Sequence, residues 1–253
     1  MNKTPSILVD TGFEVDQSGT LTEIVMPKVV TTCSAPRKVT FEGQVLNWIP
    51  STTAALQEIV VHSSSFTKNS MFKGYNALTT ATFPNVSALD ANPSGVASSG
   101  HFNGCIALTT VNFPKLTSIG QASTGTNTSG HFNGCTSLTT VNMPLLTTIG
   151  LANSAGNYNG TFWGCTALSE VTLPSIVSIG AGNSANNGNF GNCTGLSSVQ
   201  LGSPGHPVSS IGAYTFTNCT QSNLTLTIYT NGGAALSGSP WGATNTQPDF
   251  VEA

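Results

Sequence analysis

Apolar residues recur along this chain in a short beat nested inside a long one. The short beat is the run Leu-Thr-Thr-Val-Asn-Phe-Pro at 108–114. Its apolar and polar residues alternate as in a strand with one buried face. Proline has no N–H to give a ladder, so Pro84, Pro114, Pro144 and Pro174 each close such a run. The long beat is about thirty residues. HFNGCIALTTVNFPKLTSIG at 101–120 and HFNGCTSLTTVNMPLLTTIG at 131–150 agree at fifteen of twenty positions, and TFWGCTALSEVTLPSIVSIG at 161–180 keeps the same order. A step of this length marks a stacked-repeat protein rather than a closed globule.

The columns extend in both directions. Phe72, Phe102, Phe132, Phe162, Phe190 and Phe216 hold one position. Tyr75, Cys105, Cys135, Cys165, Cys193 and Cys219 hold a second, and Leu78, Leu108, Leu138, Leu168 and Leu196 a third. The runs 21–27 and 56–62 fit the strand pattern upstream, and 224–229 fits it loosely downstream, giving about eight rungs. The predicted fold is a repeat solenoid, mostly β and loop. Short parallel strands are expected at 24–26, 59–61, 81–83, 111–113, 141–143, 171–173 and 199–201. Leu108, Val111 and Phe113 all point inward only if the pleat breaks between Leu and Val, so the strands span three or four residues. A second apolar pair, such as Leu116 and Ile119, precedes Gly120, where the chain turns. Phe-x-Gly-Cys reads as a tight turn carrying Phe and Cys inward. No rung buries its apolar face alone, so stability comes from stacking.

The segment Ile-Gly-Ala-Tyr-Thr-Phe-Thr-Asn-Cys at 211–219 resembles the leucine-rich repeat of the BspA type, found in surface proteins of gut and oral bacteria. The resemblance covers roughly residues 21–230. It implies a right-handed leucine-rich-repeat solenoid and a role in adhesion or ligand binding. One departure stands out. Gly212 to Phe216 is four residues, whereas Gly120 to Phe132 and Gly150 to Phe162 are twelve. The lengthened stretches 91–100, 121–130, 151–160 and 181–188 are rich in Gly, Asn, Ser and Thr, which favour turns and build no core. Per-repeat insertions map to one face, often the binding face. Tyr158 and Trp163 are the candidate aromatic anchors for a ligand, with Asn157 and Asn159 as polar contacts. Trp163 has an equal alternative as filler of its own rung.

Composition narrows the chemistry. Charged residues make up 7% of the chain, against about 25% in ordinary domains. Between 91 and 248 only Lys115 and Glu170 are charged, so the repeats offer no carboxylate pair for acid–base work and no calcium loop. A net charge of −3 without a basic cluster leaves nucleic acid without an electrostatic footprint. No stretch approaches the roughly 20 apolar residues of a membrane span, and the N-terminus lacks the apolar core of a secretory signal. No cofactor is implied. The repeat cysteines carry no short Cys-x-x-Cys zinc spacing and read as buried reduced thiols. His101 and His131 precede Cys105 and Cys135 and could on paper form a Cys–His pair or a metal site; the expectation is that they are exposed turn residues.

Residues 1–55 form an irregular cap or attachment region with a first rung, 56–230 the solenoid, and 231–253 a C-terminal cap in which Trp241 covers the last rung. The functional expectation is a non-enzymatic recognition or adhesion module on an extracellular surface, of a bacterial cell or a phage tail, with a glycan or protein ligand. The alternative is a structural component of a virion tail or fibre, with a homo-oligomer or tail-assembly partner docking through residues 1–55.

Overall fold

The computed structural model describes residues 6–9, 13–16, 38–41, 45–46, 56–66, 70–89, 100–120, 130–150, 160–182, 188–244 and 246–253. The chain coils as a parallel β-solenoid. The central coils run through a strand of three or four residues, a turn at proline, a strand of two residues and the Phe-x-Gly-Cys turn. The longer strands Glu58–Val61, Thr80–Thr82, Thr110–Asn112 and Thr140–Asn142 pair in parallel and in register, so that Thr80, Thr110 and Thr140 line up. Lys38–Phe41 extends this sheet, followed by an antiparallel hairpin of Ser6–Val9 and Phe13–Asp16. A second parallel sheet contains Glu170–Leu173, Ser198–Leu201, Thr225–Thr230 and Asp249–Glu252. The two-residue strands Ala88–Leu89, Ser118–Ile119, Thr148–Ile149, Ser178–Ile179 and Ser210–Ile211 make one uninterrupted ladder. In the sequence they show only as an apolar pair, because two residues are too few for alternation to register.

The core is a set of columns. The rings of Phe72, Phe102, Phe132, Phe162 and Phe190 stack nearly parallel at 5.0–5.2 Å, and Phe216 closes the series at 5.7 Å. The thiols of Cys105, Cys135, Cys165, Cys193 and Cys219 are buried and free. Each donates to the carbonyl of the Phe one coil earlier, from Cys105 to Phe72 at 2.9 Å to Cys219 to Phe190 at 3.2 Å. Burial pushes the Cys105 and Cys219 thiols up to about 12 and the other three well above their usual range. The turn ahead of each cysteine needs a left-handed residue. Glycine supplies it at 74, 104, 134 and 164, and asparagine at 192 and 218, the other residue type that tolerates this conformation. At the C-terminal end Trp241 is buried and accepts the Phe216 N–H at 3.0 Å, taking the place the next coil would occupy.

The structure corrects several details. Strands begin and end one residue earlier than expected in three coils, at 80–82, 110–112 and 140–142. The cause lies at the strand entrance. Thr109 N–H and Thr110 N–H both donate to Thr79 O, at 2.9 and 3.1 Å. Two donors on one carbonyl bend the chain there, which is the pleat break that lets Leu108 and Val111 both face inward. Six coils carry the full unit headed by a stacked Phe, fewer than the eight expected, because the end segments supply strands without that turn. The expected strand at 24–26 lies outside the described residues.

Between residues 72 and 211 one boundary between coils is unlike the others. Thr140–Asn142 and Glu170–Leu173 do not pair, although the coils they belong to remain joined by the Phe stack and by the Thr148–Ile149 ladder. Thr139 and Thr140 N–H both reach Thr109 O, but Ser169 and Glu170 N–H find no equivalent on Thr139. Val141 is only half-buried, whereas Ala81, Val111, Val171 and Val199 at the same position are buried.

Two outcomes follow. Phe132→Ala removes a fully buried ring from the middle of its column and is expected to lower stability by about 3–5 kcal/mol in denaturant unfolding. In native-state hydrogen exchange the Ser169 and Glu170 amides should lose protection well before those of Thr109 and Thr110. Equal protection at both pairs would mean the ladder closes in solution.

Candidate functional site: the loop edge

Four of the two-residue strands, Ser118–Ile119, Thr148–Ile149, Ser178–Ile179 and Ser210–Ile211, are followed by a glycine whose N–H is held by the previous coil. Gly120 donates to Leu89 O at 2.6 Å, and Gly150, Gly180 and Gly212 donate to Ile119, Ile149 and Ile179 O at 2.8 Å. From this line the chain departs into the inserted stretches, of which 90–99, 121–129, 151–159 and 183–187 lie outside the described residues. It returns at Gly100, Gly130, Gly160 and Gly188. Successive backbones touch at these four points. A Cβ on Gly130 would lie 2.2 Å from Gly160 O, one on Gly160 2.2 Å from Gly188 O, and one on Gly100 2.2 Å from the His131 Cα. Glycine is therefore required for the approach itself, not only for loop flexibility. The insertions thus leave and re-enter along one edge, one coil apart.

The residue after each return glycine locks the stem. This column reads Met71, His101, His131, Thr161, Asn189 and Thr215, and the N–H groups of Phe72, Phe102, Phe132, Phe162 and Phe190 donate to its carbonyl in the following coil at 2.8 Å. The side chains act as well. Asn189, 1% exposed, donates through Nδ2 to Gly180 O at 2.8 Å and Gly150 O at 3.3 Å, and accepts the Thr161 N–H at 3.2 Å. One amide thus ties two points of departure to one of return. In the compact coil the Thr215 hydroxyl donates to Gly212 O at 2.6 Å and closes the loop directly. The sequence reading passed over Asn189. Its signal was a recurring polar residue wedged between a glycine and a core Phe.

His101 and His131 belong to this column, and the expectation of exposed turn residues is overturned. They are 4% and 8% exposed, with rings stacked at 5.1 Å, and His131 Nδ1 accepts the His101 N–H at 3.4 Å. Burial pushes His101 down to about 3, with repulsion from His131 adding to it, and burial alone pushes His131 down to about 4. Neither histidine activates a thiol. The Cys105 proton goes to Phe72 O, and burial disfavours its thiolate. Among the described residues no group of three or more His, Cys, Asp or Glu could hold a metal ion.

Of the candidate ligand contacts, Asn157, Tyr158 and Asn159 lie outside the described residues. Trp163 is half-buried on the coil that Gly160 opens. Its indole leans onto the next coil, with Cζ3 and Cε3 at 2.2 and 2.3 Å from where a Cβ on Gly191 would sit. The same column carries Asn103 and Asn133, joined by an amide–amide hydrogen bond of 2.7 Å.

A family model described as the BspA type leucine rich repeat region matches residues 52–220 in six copies. No curated protein and no solved structure matches the chain. No helix among the described residues is long and apolar enough to cross a membrane.

The stacked histidines make the edge sensitive to acid. Their folded-state pKa values lie below the unfolded value of about 6.5, so the unfolded chain takes up protons first. The stability they allow is complete above pH 6.5 and is lost as pH falls toward 4. At pH 5 the loss relative to pH 8 should be about 2 kcal/mol for each histidine. Denaturant unfolding at the two pH values checks this, and a His101→Phe/His131→Phe variant should flatten the dependence between them.

Proposed function

The chain belongs to the BspA-type leucine-rich-repeat family, and we propose that it is a non-enzymatic recognition or adhesion module which binds a glycan or protein ligand through its loop edge. The observation that carries this reading is the line of return glycines. Their backbone contacts hold the ends of successive insertions in register along one edge. Their Ser, Asn, Thr and Gly content supplies adaptable hydrogen bonding, with Asn157, Tyr158 and Asn159 as the contacts of the third insertion. Display on an outer surface, of a cell or a virion, is part of the proposal, since repeats of this type occur in bacterial surface proteins.

The test shortens all four insertions to the four-residue form at 212–216 and measures retention on a printed panel of glycans and on intact bacterial cells. The shortened chain is expected to keep the far-UV spectrum of the parent and lose at least tenfold in binding. Binding by the parent should change less than about threefold between low and high salt, because few ion pairs are available to screen. Unchanged binding by a folded shortened chain would overturn the proposal and move the function to residues 1–55, as expected of an assembly component.

A further inference from the structure

Two tryptophans are described in this chain, and they are treated differently. Trp241 is buried, and its Nε1–H donates to Ser237 O at 2.9 Å, as a buried indole normally requires. Trp163 is half-buried, and its Nε1–H has no acceptor among the described residues. The coils on either side explain its posture. At this position Asn103, half-buried, and Asn133, buried, form an amide column. The column stops at Trp163, and the following residue is Gly191, where any side chain would collide with the indole. The missing side chain is what allows the ring to lie against the backbone of the next coil, held from beneath while its nitrogen stays open.

We propose that Trp163, seated on Gly191, is a stacking platform for one pyranose ring of a neutral glycan. This rests on the recognition reading above and narrows it to a ligand class. The electron-rich face of an indole attracts the polarised C–H bonds along the apolar side of a sugar ring, and the open Nε1–H supplies a donor to a ring hydroxyl. The buried Asn133 amide, one coil away, donates through Nδ2 to the Trp163 carbonyl at 3.5 Å and so fixes the backbone that carries the indole, and the third insertion returns at Gly160, three residues before the indole. A few placed polar groups beside an apolar surface are what orient a small ligand. Lys115 and Glu170 are the only charged residues between 91 and 248, so the surroundings favour an uncharged sugar over a sialylated or sulfated one.

The test uses the full chain on a printed array of neutral and acidic glycans, followed by calorimetric titration of the neutral oligosaccharides retained. Trp163→Ala should lose at least thirtyfold in affinity. Trp163→Phe keeps a ring but no donor and should lose three- to tenfold. Gly191→Ala leaves the tryptophan in place but pushes the indole off its seat, and should lose at least fivefold. All three should melt within about 3 °C of the parent; if Trp163→Ala does not fold, the other two carry the test. Retention of acidic glycans only, no retention of any neutral glycan by the parent, or parental affinity in Trp163→Phe and Gly191→Ala would overturn the proposal. If the shortened-loop chain loses binding while the Trp163 and Gly191 variants keep it, the platform is wrong and the recognition edge stands. If none of these variants changes binding, both are wrong.

Discussion

Phenylalanine rings stacked at 5.0–5.2 Å set the axial step of this molecule, and every other column has to match it. Parallel strands repeat at about 4.8 Å, so the step suits backbone ladders on the outside of the coil as well as rings on the inside. Thiol-to-carbonyl bonds from each cysteine to the preceding Phe coil use the same distance. A coil that could not keep this step would forfeit its ring contacts, its ladder and its thiol bond together.

The same step accounts for the scarcity of charge. A side chain repeated in successive coils faces its own copy at about 5 Å, where like charges repel. Residues that can bond to themselves take the outward columns instead. Asn142 donates to Asn112 at 2.6 Å, and the hydroxyls of Thr109 and Thr139 donate to the carbonyls of Thr79 and Thr109. The low charge content is thus first a consequence of stacking, and its suitability for an uncharged ligand follows from that.

The solenoid was legible in the sequence because its columns are chemically distinctive: Phe, Cys and Leu at fixed offsets, with proline ending each run. The two-residue strands were not, since a pair such as Ser118–Ile119 carries no period of its own. The one-residue shift at Thr110 was also hidden, because it arises from two N–H groups sharing a carbonyl in another coil. At the loop edge the glycines were visible but their reason was not. Gly130 reads as flexibility in the sequence and proves to be a point where backbones meet. His101 and His131 looked like turn residues because a polar ring stacked on its own copy leaves no mark in a single repeat. Trp163 carried two readings, ligand anchor and filler of its own rung, and the structure shows the ring packed over Gly191 of the neighbouring coil.

The unpaired boundary between Thr140–Asn142 and Glu170–Leu173 has a mechanical meaning. Between residues 72 and 211 the other neighbouring coils are fastened along three lines, the longer strand, the shorter strand and the turn; here only two remain. A tensile load along the axis concentrates at the weakest joint. Of the joints between residues 72 and 211 this one is then the first to open, on its strand side, while the coils on either side of it stay wound. The coil that carries Trp163 forms one lip of that joint, so pulling on the molecule would disturb the packing around Trp163 before that of the other coils in this span.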